Sequence, residues 1–198
     1  MKRYRYTSYD DYEEAQKSAY ERKFKKVWAR QENLETIVEW LEPREPASGL
    51  CHGVRNGTEV AWFRELLPGC LVIGTEIGGS VEPYIVEWDF NVENEKWQGE
   101  FDFVYSNSWD HTFEPKVTFP IWGRQLRPGG ILILETNQRQ EHTGDVSKAV
   151  NKTDPFGASP HELQQLIEGS CPLTFVDEVS LPYVDYNYRV ALFFERRS

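Results

Sequence analysis

The chain begins with helical spacing and then changes rhythm. Tyr12, Ala15, Ala19, Phe24, Val27 and Trp28 recur roughly every 3–4 residues, the repeat of one helix face. Ser8 or Asp10 is placed to cap that helix, with Glu13 three residues after Asp10. Leu34, Ile37, Val38 and Leu41 continue the pattern as a second helix, which Pro43 and Pro46 stop, and Glu42 to Ser48 reads as a linker. From residue 49 onward short apolar runs alternate with helical patterns. The runs are Gly49–Gly53, Leu71–Ile77, Tyr84–Trp88, Phe101–Tyr105 and Ile131–Glu135. Their nearly continuous apolar character is that of strands buried on both faces of a parallel sheet. Thr58–Leu67, Pro115–Leu126 and Pro160–Ile167 read as the intervening helices. Thr174–Leu181 and Tyr188–Glu195 are joined by a short Pro- and Asp-containing link, so the last two strands form a hairpin and one of them runs antiparallel. The expected fold is α/β: a doubly wound, mostly parallel seven-stranded sheet with an antiparallel last strand. An N-terminal helical cap spans 1–47 and the sheet-bearing domain spans 48–198.

Composition narrows the class. With 198 residues and 14% aromatics the chain can bury one substantial core. The net charge of −10 disfavours nucleic acid, whose phosphates need a positive surface. The charge is uneven: residues 1–30 hold nine Lys/Arg against five acids, a basic arm on an acidic body. Cys51, Cys70 and Cys171 have no CxxC spacing and fit neither a disulfide framework nor a zinc cluster. The first residues lack the apolar core of a signal peptide, and no run reaches the ~18 apolar residues of a membrane span. The expectation is a cytoplasmic protein without a membrane partner. A homodimer is compatible with the sequence.

In a doubly wound sheet, ligands bind beyond the carboxyl ends of the strands. After the first of these strands comes Gly53-Val54-Arg55-Asn56-Gly57, a turn that lets backbone approach a ligand and opens a helix. After the second come Glu76 and Ile77, the acid about 20 residues past the glycine turn, where it is placed to accept from ribose hydroxyls. After the third come Asp89 and Phe90, a carboxylate and a ring that suit an adenine. After the fourth come Ser106, Asn107 and Ser108, then Trp109, Asp110 and His111.

These features, with Phe101-Asp102-Phe103-Val104-Tyr105-Ser106-Asn107-Ser108 and Leu126-Arg127-Pro128-Gly129-Gly130 before a strand, resemble a class I S-adenosylmethionine-dependent methyltransferase of the small-molecule, type 11-like group. The resemblance covers roughly Ser48 to Arg196, including the reversed seventh strand. It implies the Rossmann-like methyltransferase fold and S-adenosyl-L-methionine as cofactor. By that resemblance Gly53, Val54, Arg55, Asn56 and Gly57 cradle the methionine part. Glu76 and Ile77 take the ribose side, Asp89 and Phe90 flank the adenine, and Ser106, Asn107 and Ser108 close over the methionine moiety. Two positions depart from the pattern: Cys51 stands where the family has an acid, and Arg55 where it has a glycine. Arg55 is left with two partners, the methionine carboxylate or Glu59.

Methyl transfer from a sulfonium is an in-line displacement that demands positioning more than a catalytic motif. His111 with Asp110 is the candidate acid–base pair. Trp109, His142, Asp154 and Phe156 are candidate acceptor-binding residues, Trp122, Tyr183 and Tyr186 further ones, and no metal is expected. His52 reads as packing within the turn, and His161 as lying in the first turn of its helix. The long polar stretch Thr136–Ser159 reads as a functional loop. Glu76, Asp89, Asp102 and Asp110 are expected at or beside the strands of this site, and the basic arm as a lid over it. The expected activity is O- or N-methylation of a small-molecule acceptor. The alternative is a weak or inactive methyltransferase-like domain serving as a binding or partner subunit. A nicotinamide dehydrogenase would need the GxGxxG that this chain lacks.

Overall fold

The computed structural model describes residues 1–80, 82–141 and 150–197. The elements run β1 (Lys2–Arg3), α1 (Tyr9–Lys23), α2 (Gln31–Leu41), β2 (Ser48–His52), α3 (Thr58–Leu66), β3 (Leu71–Glu76), β4 (Ile85–Glu87) and β5 (Phe101–Ser106). They continue with α4 (Pro115–Gln125), β6 (Leu126–Asn137), β7 (Phe156–Gly157), α5 (Pro160–Ser170), β8 (Leu173–Ser180) and β9 (Arg189–Arg196). Ser8 caps α1, its side chain accepting from Asp11 N. At α5, Ser159 and Glu162 form a reciprocal capping box.

Seven strands form one sheet in the order β4-β3-β2-β5-β6-β9-β8. The first five are parallel, while β9 is antiparallel to both β6 and β8. This is the Rossmann-like sheet with a reversed last strand. Side chains alternate between its two faces with period two. Leu50, Val104, Leu132, Leu134, Leu192 and Phe194 face the core under α4 and α5. Cys51, Phe103, Tyr105, Ile131, Ile133, Ala191 and Phe193 face the core under α2 and α3.

Two features were not legible in the sequence. The tip of the N-terminus is a strand: β1 pairs antiparallel with β7, inside the stretch read as loop. The fifth predicted strand is also longer at both ends, because Arg127-Pro128-Gly129-Gly130 runs into it as extended backbone. Asp102 stands at the amino edge of the sheet, where it accepts from Ala47 N and Ser48 N at 2.9 Å each and pairs with Arg127. The site edge is the opposite one, so Asp102 pins the entry to β2.

The core reaches the site through Trp122 of α4. It is fully buried, stacks on His52 at 4.7 Å between centroids, and donates from Nε1 to the Phe90 carbonyl at 3.0 Å. Trp122→Phe leaves that buried acceptor unpaired and should cost about 1–3 kcal/mol. Urea denaturation monitored by far-UV circular dichroism measures the loss.

Candidate functional site

The chain leaves β2 into a turn built on left-handed backbone. Gly53 (φ 73°) and Gly57 (φ 75°) adopt it freely, and Arg55 between them sits at φ 47°, where a side chain is unusual. Gly53 N and Val54 N both donate to the Thr75 carbonyl, at 3.0 and 3.2 Å. The Arg55 N–H donates to Glu76 Oε2 at 2.6 Å, and the Gly78 N–H reaches Oε1 at 3.3 Å. A Cβ on Gly53 would press on Ser108 and the Phe90 ring, so the turn forms a cradle that only glycine leaves open. Ser108 Oγ donates to the Gly53 carbonyl and Ser106 Oγ to the His52 carbonyl, both at 3.1 Å. Val54 lies in the core, and Asn56 is used in the turn, its Nδ2 donating to Phe24 O at 3.0 Å.

Glu76 is buried at the end of β3, and desolvation raises its pKa against the two N–H groups and the Arg55 charge that lower it. Asp89 Oδ1 accepts from Asn91 N at 2.9 Å, and Oδ2 accepts from Tyr9 Oη at 2.5 Å. Tyr9 belongs to α1, which lies across these strand ends. Tyr12, Gln16, Ala19 and Tyr20 of α1 close over Glu76, Ile77, Asp89 and Phe90, leaving a cavity of about 40 Å³.

Beyond Ser108 a short turn, Trp109–His111, brings His111 to the cleft. Gln16 Nε2 points at the Lys152 carbonyl (3.3 Å), which can only accept, so Gln16 Oε1 is the atom facing His111 Nδ1 at 2.9 Å. Nδ1 therefore carries a hydrogen, and Nε2 is the ring nitrogen turned toward the acids of the cleft. Nε2 stands 3.6 Å from Asp154 Oδ1 and 3.9 Å from Asp110 Oδ1. Asp110 Oδ1 also accepts from Gln140 Nε2 at 3.0 Å. Burial works against the Asp154 charge, but His111, Lys23, an Asn151 hydrogen bond and Arg139 outweigh it and hold its carboxyl below the usual range. Asp110, His111 and Asp154 offer three ligand-type atoms within 4.8 Å of one another. Lys23 and Arg139 act on Asp154 from the same cleft.

The acceptor-side cleft also takes in Trp28, Asn137, Glu135 and Tyr186. Glu135 is buried and shared: it accepts from Asn33 Nδ2 (3.2 Å) and Tyr105 Oη (2.6 Å), and pairs with Arg189 Nη1 (3.1 Å). Tyr183 is turned away to the Arg30 guanidinium, 4.5 Å from its ring.

Several expectations are corrected. Trp109 and Phe156 do not line the cleft; they pack edge-to-face in the core, and Trp109 Nε1 donates to the Glu135 carbonyl at 3.1 Å. Trp122 is likewise core. His142 lies outside the described residues. Arg55 Nη1 bonds the Lys26 carbonyl at 3.1 Å and makes no ion pair with Glu59 among the described residues. His52 is held between Thr75 Oγ1 and Gln125 Oε1 at 2.8 Å each, and burial lowers its pKa to about 4. Sequence reasoning missed Gln16, Lys23, Glu135 and Arg139. Only the basic arm and the acid ending the fifth predicted strand hinted at them.

No protein-family description and no curated protein matches the sequence. Solved structures do match in fold. A 1,6-didemethyltoxoflavin-N1-methyltransferase from Burkholderia thailandensis, bound to 1,6-didemethyltoxoflavin and S-adenosylhomocysteine, superposes with a TM-score of 0.75. It is 15% identical, with 98% of this chain and 93% of that one covered. A Thermotoga maritima S-adenosylmethionine-dependent methyltransferase, described as a possible histamine N-methyltransferase, gives 0.62 at 16% identity over 96% and 100% of the two chains. The N-methyltransferase NodS from Bradyrhizobium japonicum WM9 gives 0.59 at 14% identity over 91% and 98%. The chain has the fold of class I S-adenosylmethionine-dependent methyltransferases.

Glu59, at the start of α3, is 6% exposed, and desolvation pushes its pKa from the ordinary 4.5 up to about 8. The folded chain then binds this proton more tightly than the unfolded chain. The stabilisation is whole below pH about 4.5 and is lost as pH climbs toward about 8. Glu59→Gln should flatten that part of the stability–pH profile and gain on the parent chain above pH 8. Urea midpoints taken at pH 5, 7 and 8.5 check the slope.

Proposed function

We propose that this chain transfers a methyl group from S-adenosyl-L-methionine to a nitrogen or oxygen of a small polar acceptor. The observation that supports it most is the convergence of the Gly53–Gly57 cradle, Glu76, and the Asp89–Phe90 pair at successive strand ends of this sheet, in one cleft that continues to His111. The residues present fit the cofactor. Glu76 has a carboxylate for the ribose hydroxyls, with Ile77 beside it. Asp89 and Phe90 offer an acceptor and a ring for the adenine. The open Gly53 cradle, with Val54, Arg55, Asn56 and Gly57 around it and Ser106, Asn107 and Ser108 opposite, takes the methionine end. When bound, the cofactor supplies an electrophilic methyl on a sulfonium.

This chain's residues do the rest. His111, oriented by the Gln16 contact so that Nε2 faces the cleft, takes the acceptor's proton at Nε2, and Asp110 and Asp154 stabilise the imidazolium that results. Asp154 and Trp28 bound the acceptor's cleft. The cavity under α1 has room for waters but not a nucleoside, so α1 moves outward on binding and Tyr9 gives up Asp89. On reclosing, Tyr12 and Tyr20 exclude water from the transfer. The cytoplasm is the proposed compartment, and among the described residues no helix is long and apolar enough to cross a membrane.

The closed state also favours a second reading, a partner subunit that has lost cofactor binding, because Tyr9 occupies Asp89. Titration calorimetry with S-adenosylhomocysteine decides between them. The expected result is saturable binding that Glu76→Ala weakens at least about tenfold, through loss of a charged hydrogen-bond acceptor. His111→Ala, on the acceptor side, should leave it within about twofold. Absence of heat at millimolar ligand would sink the enzyme reading and leave the partner subunit.

A further inference from the structure

Glu59 is a buried acid without an assigned task. Glu59 lines the part of the cleft bounded by Lys26, Gly53, Arg55, Asn107 and Ser108, where the cofactor reading puts the methionine end. Its side chain accepts from its own backbone N–H, and no side chain among the described residues donates to it. The Arg55 cation acts on it through space but spends its Nη1 on the Lys26 carbonyl. Glu76 and Glu135 stand close enough to oppose its ionisation. A buried carboxylate whose one donor is its own backbone N–H is costly unless something else brings positive charge to it.

The adjoining strand position sharpens the point. Cys51 is fully buried in β2, and desolvation, with Glu59 as the next cause, pushes its thiol well above the ordinary range. Cys51 is therefore a neutral side chain that cannot face a cation. Glu59 is close enough to that thiol for its charge to be felt there, and it projects from the next helix into the same neighbourhood.

Resting on the cofactor reading above, we propose that Glu59 is the residue that binds the α-ammonium group of the cofactor's amino-acid end. It makes α3, rather than β2, the source of the anionic group at that subsite. Binding is then an exchange: the ammonium meets the Glu59 carboxylate, and the proton Glu59 holds in the ligand-free chain is released. Arg55, Glu76 and Glu135 are the charged neighbours that share this environment.

Two ligands separate this role from a structural one. S-adenosylhomocysteine carries the amino-acid end, while 5′-methylthioadenosine has the same nucleoside and thioether without it. Calorimetry with the full chain should find that Glu59→Gln weakens S-adenosylhomocysteine at least about tenfold, the scale of a lost charged contact. The same variant should leave 5′-methylthioadenosine within about twofold. For the parent chain at pH 7, heats compared in buffers of different ionisation enthalpy should report proton release with S-adenosylhomocysteine and not with 5′-methylthioadenosine. Unchanged S-adenosylhomocysteine affinity in Glu59→Gln overturns the proposal, and so does an equal loss of both ligands. If the parent chain binds neither ligand, the cofactor reading itself fails, which is a different result.

Discussion

Strand β2 lies between β3 and β5 and is parallel to both. The chain winds outward from it on one side as far as β4, then returns to build β5, β6, β9 and β8 on the other. Because the two connections leave in opposite directions, neither covers the carboxyl end of β2, and a crevice is left there. Everything with chemical potential in this molecule follows from that constraint. The turn after β2, the acid ending β3 and the serines ending β5 face one another because hydrogen-bonded parallel strands bring their ends level. Glu76 can receive the Arg55 N–H only because β3 is the direct neighbour of β2.

The crevice is roofed by the chain's own beginning. α1 brings tyrosines whose rings bury apolar area while their hydroxyls satisfy polar groups below, as Tyr9 does at Asp89 and Tyr12 at Asn91. α2 is fastened more deeply. Its Asn33 shares the buried Glu135 carboxylate with Tyr105 of β5 and Arg189 of β9, so one acid joins a helix to two strands. Breaking such a shared carboxylate by removing one partner leaves an uncompensated buried charge. α2 is thus fixed to the sheet, whereas α1 buries Tyr12, Gln16 and Ala19 outside both core clusters, against rings and polar groups at the crevice. The roof is divided into a fixed part and a part able to yield.

The strands and the positions at their ends were legible in the sequence because a parallel sheet buried on both faces imposes an apolar run, and the residue after the run marks the crevice. The glycine turn, Glu76, Asp89 and Phe90 were found that way. Their convergence with distant residues was not legible. Gln16 sits far along the chain from His111, and nothing local marks it as the group that orients the histidine. Asp154 reaches His111 because the adjoining β7 packs against the Trp109–His111 turn, and a two-residue strand is too short to leave a periodic signal. The aromatic candidates misled for the opposite reason. Trp109 and Phe156 are close in sequence to site residues, but large rings yield more free energy in the core than at a polar cleft, and the core took them.

Cys51 and Arg55 looked from the sequence like losses from a binding turn. In three dimensions neither position has to carry charge toward a ligand. Cys51 is a neutral core side chain in β2, and Arg55 serves the turn mainly through its backbone, with its N–H on Glu76. What binding requires is an anionic group within reach of the cradle, and physical chemistry does not specify which element supplies it. Glu59 stands two residues beyond the glycine that ends the cradle, lining the same cavity and close enough to Cys51 for its charge to act on that thiol. A motif compared position by position records that exchange as an acid missing and an unrelated glutamate gained. Compared as an electrostatic environment, the two changes are one, and the turn keeps the charge it needs.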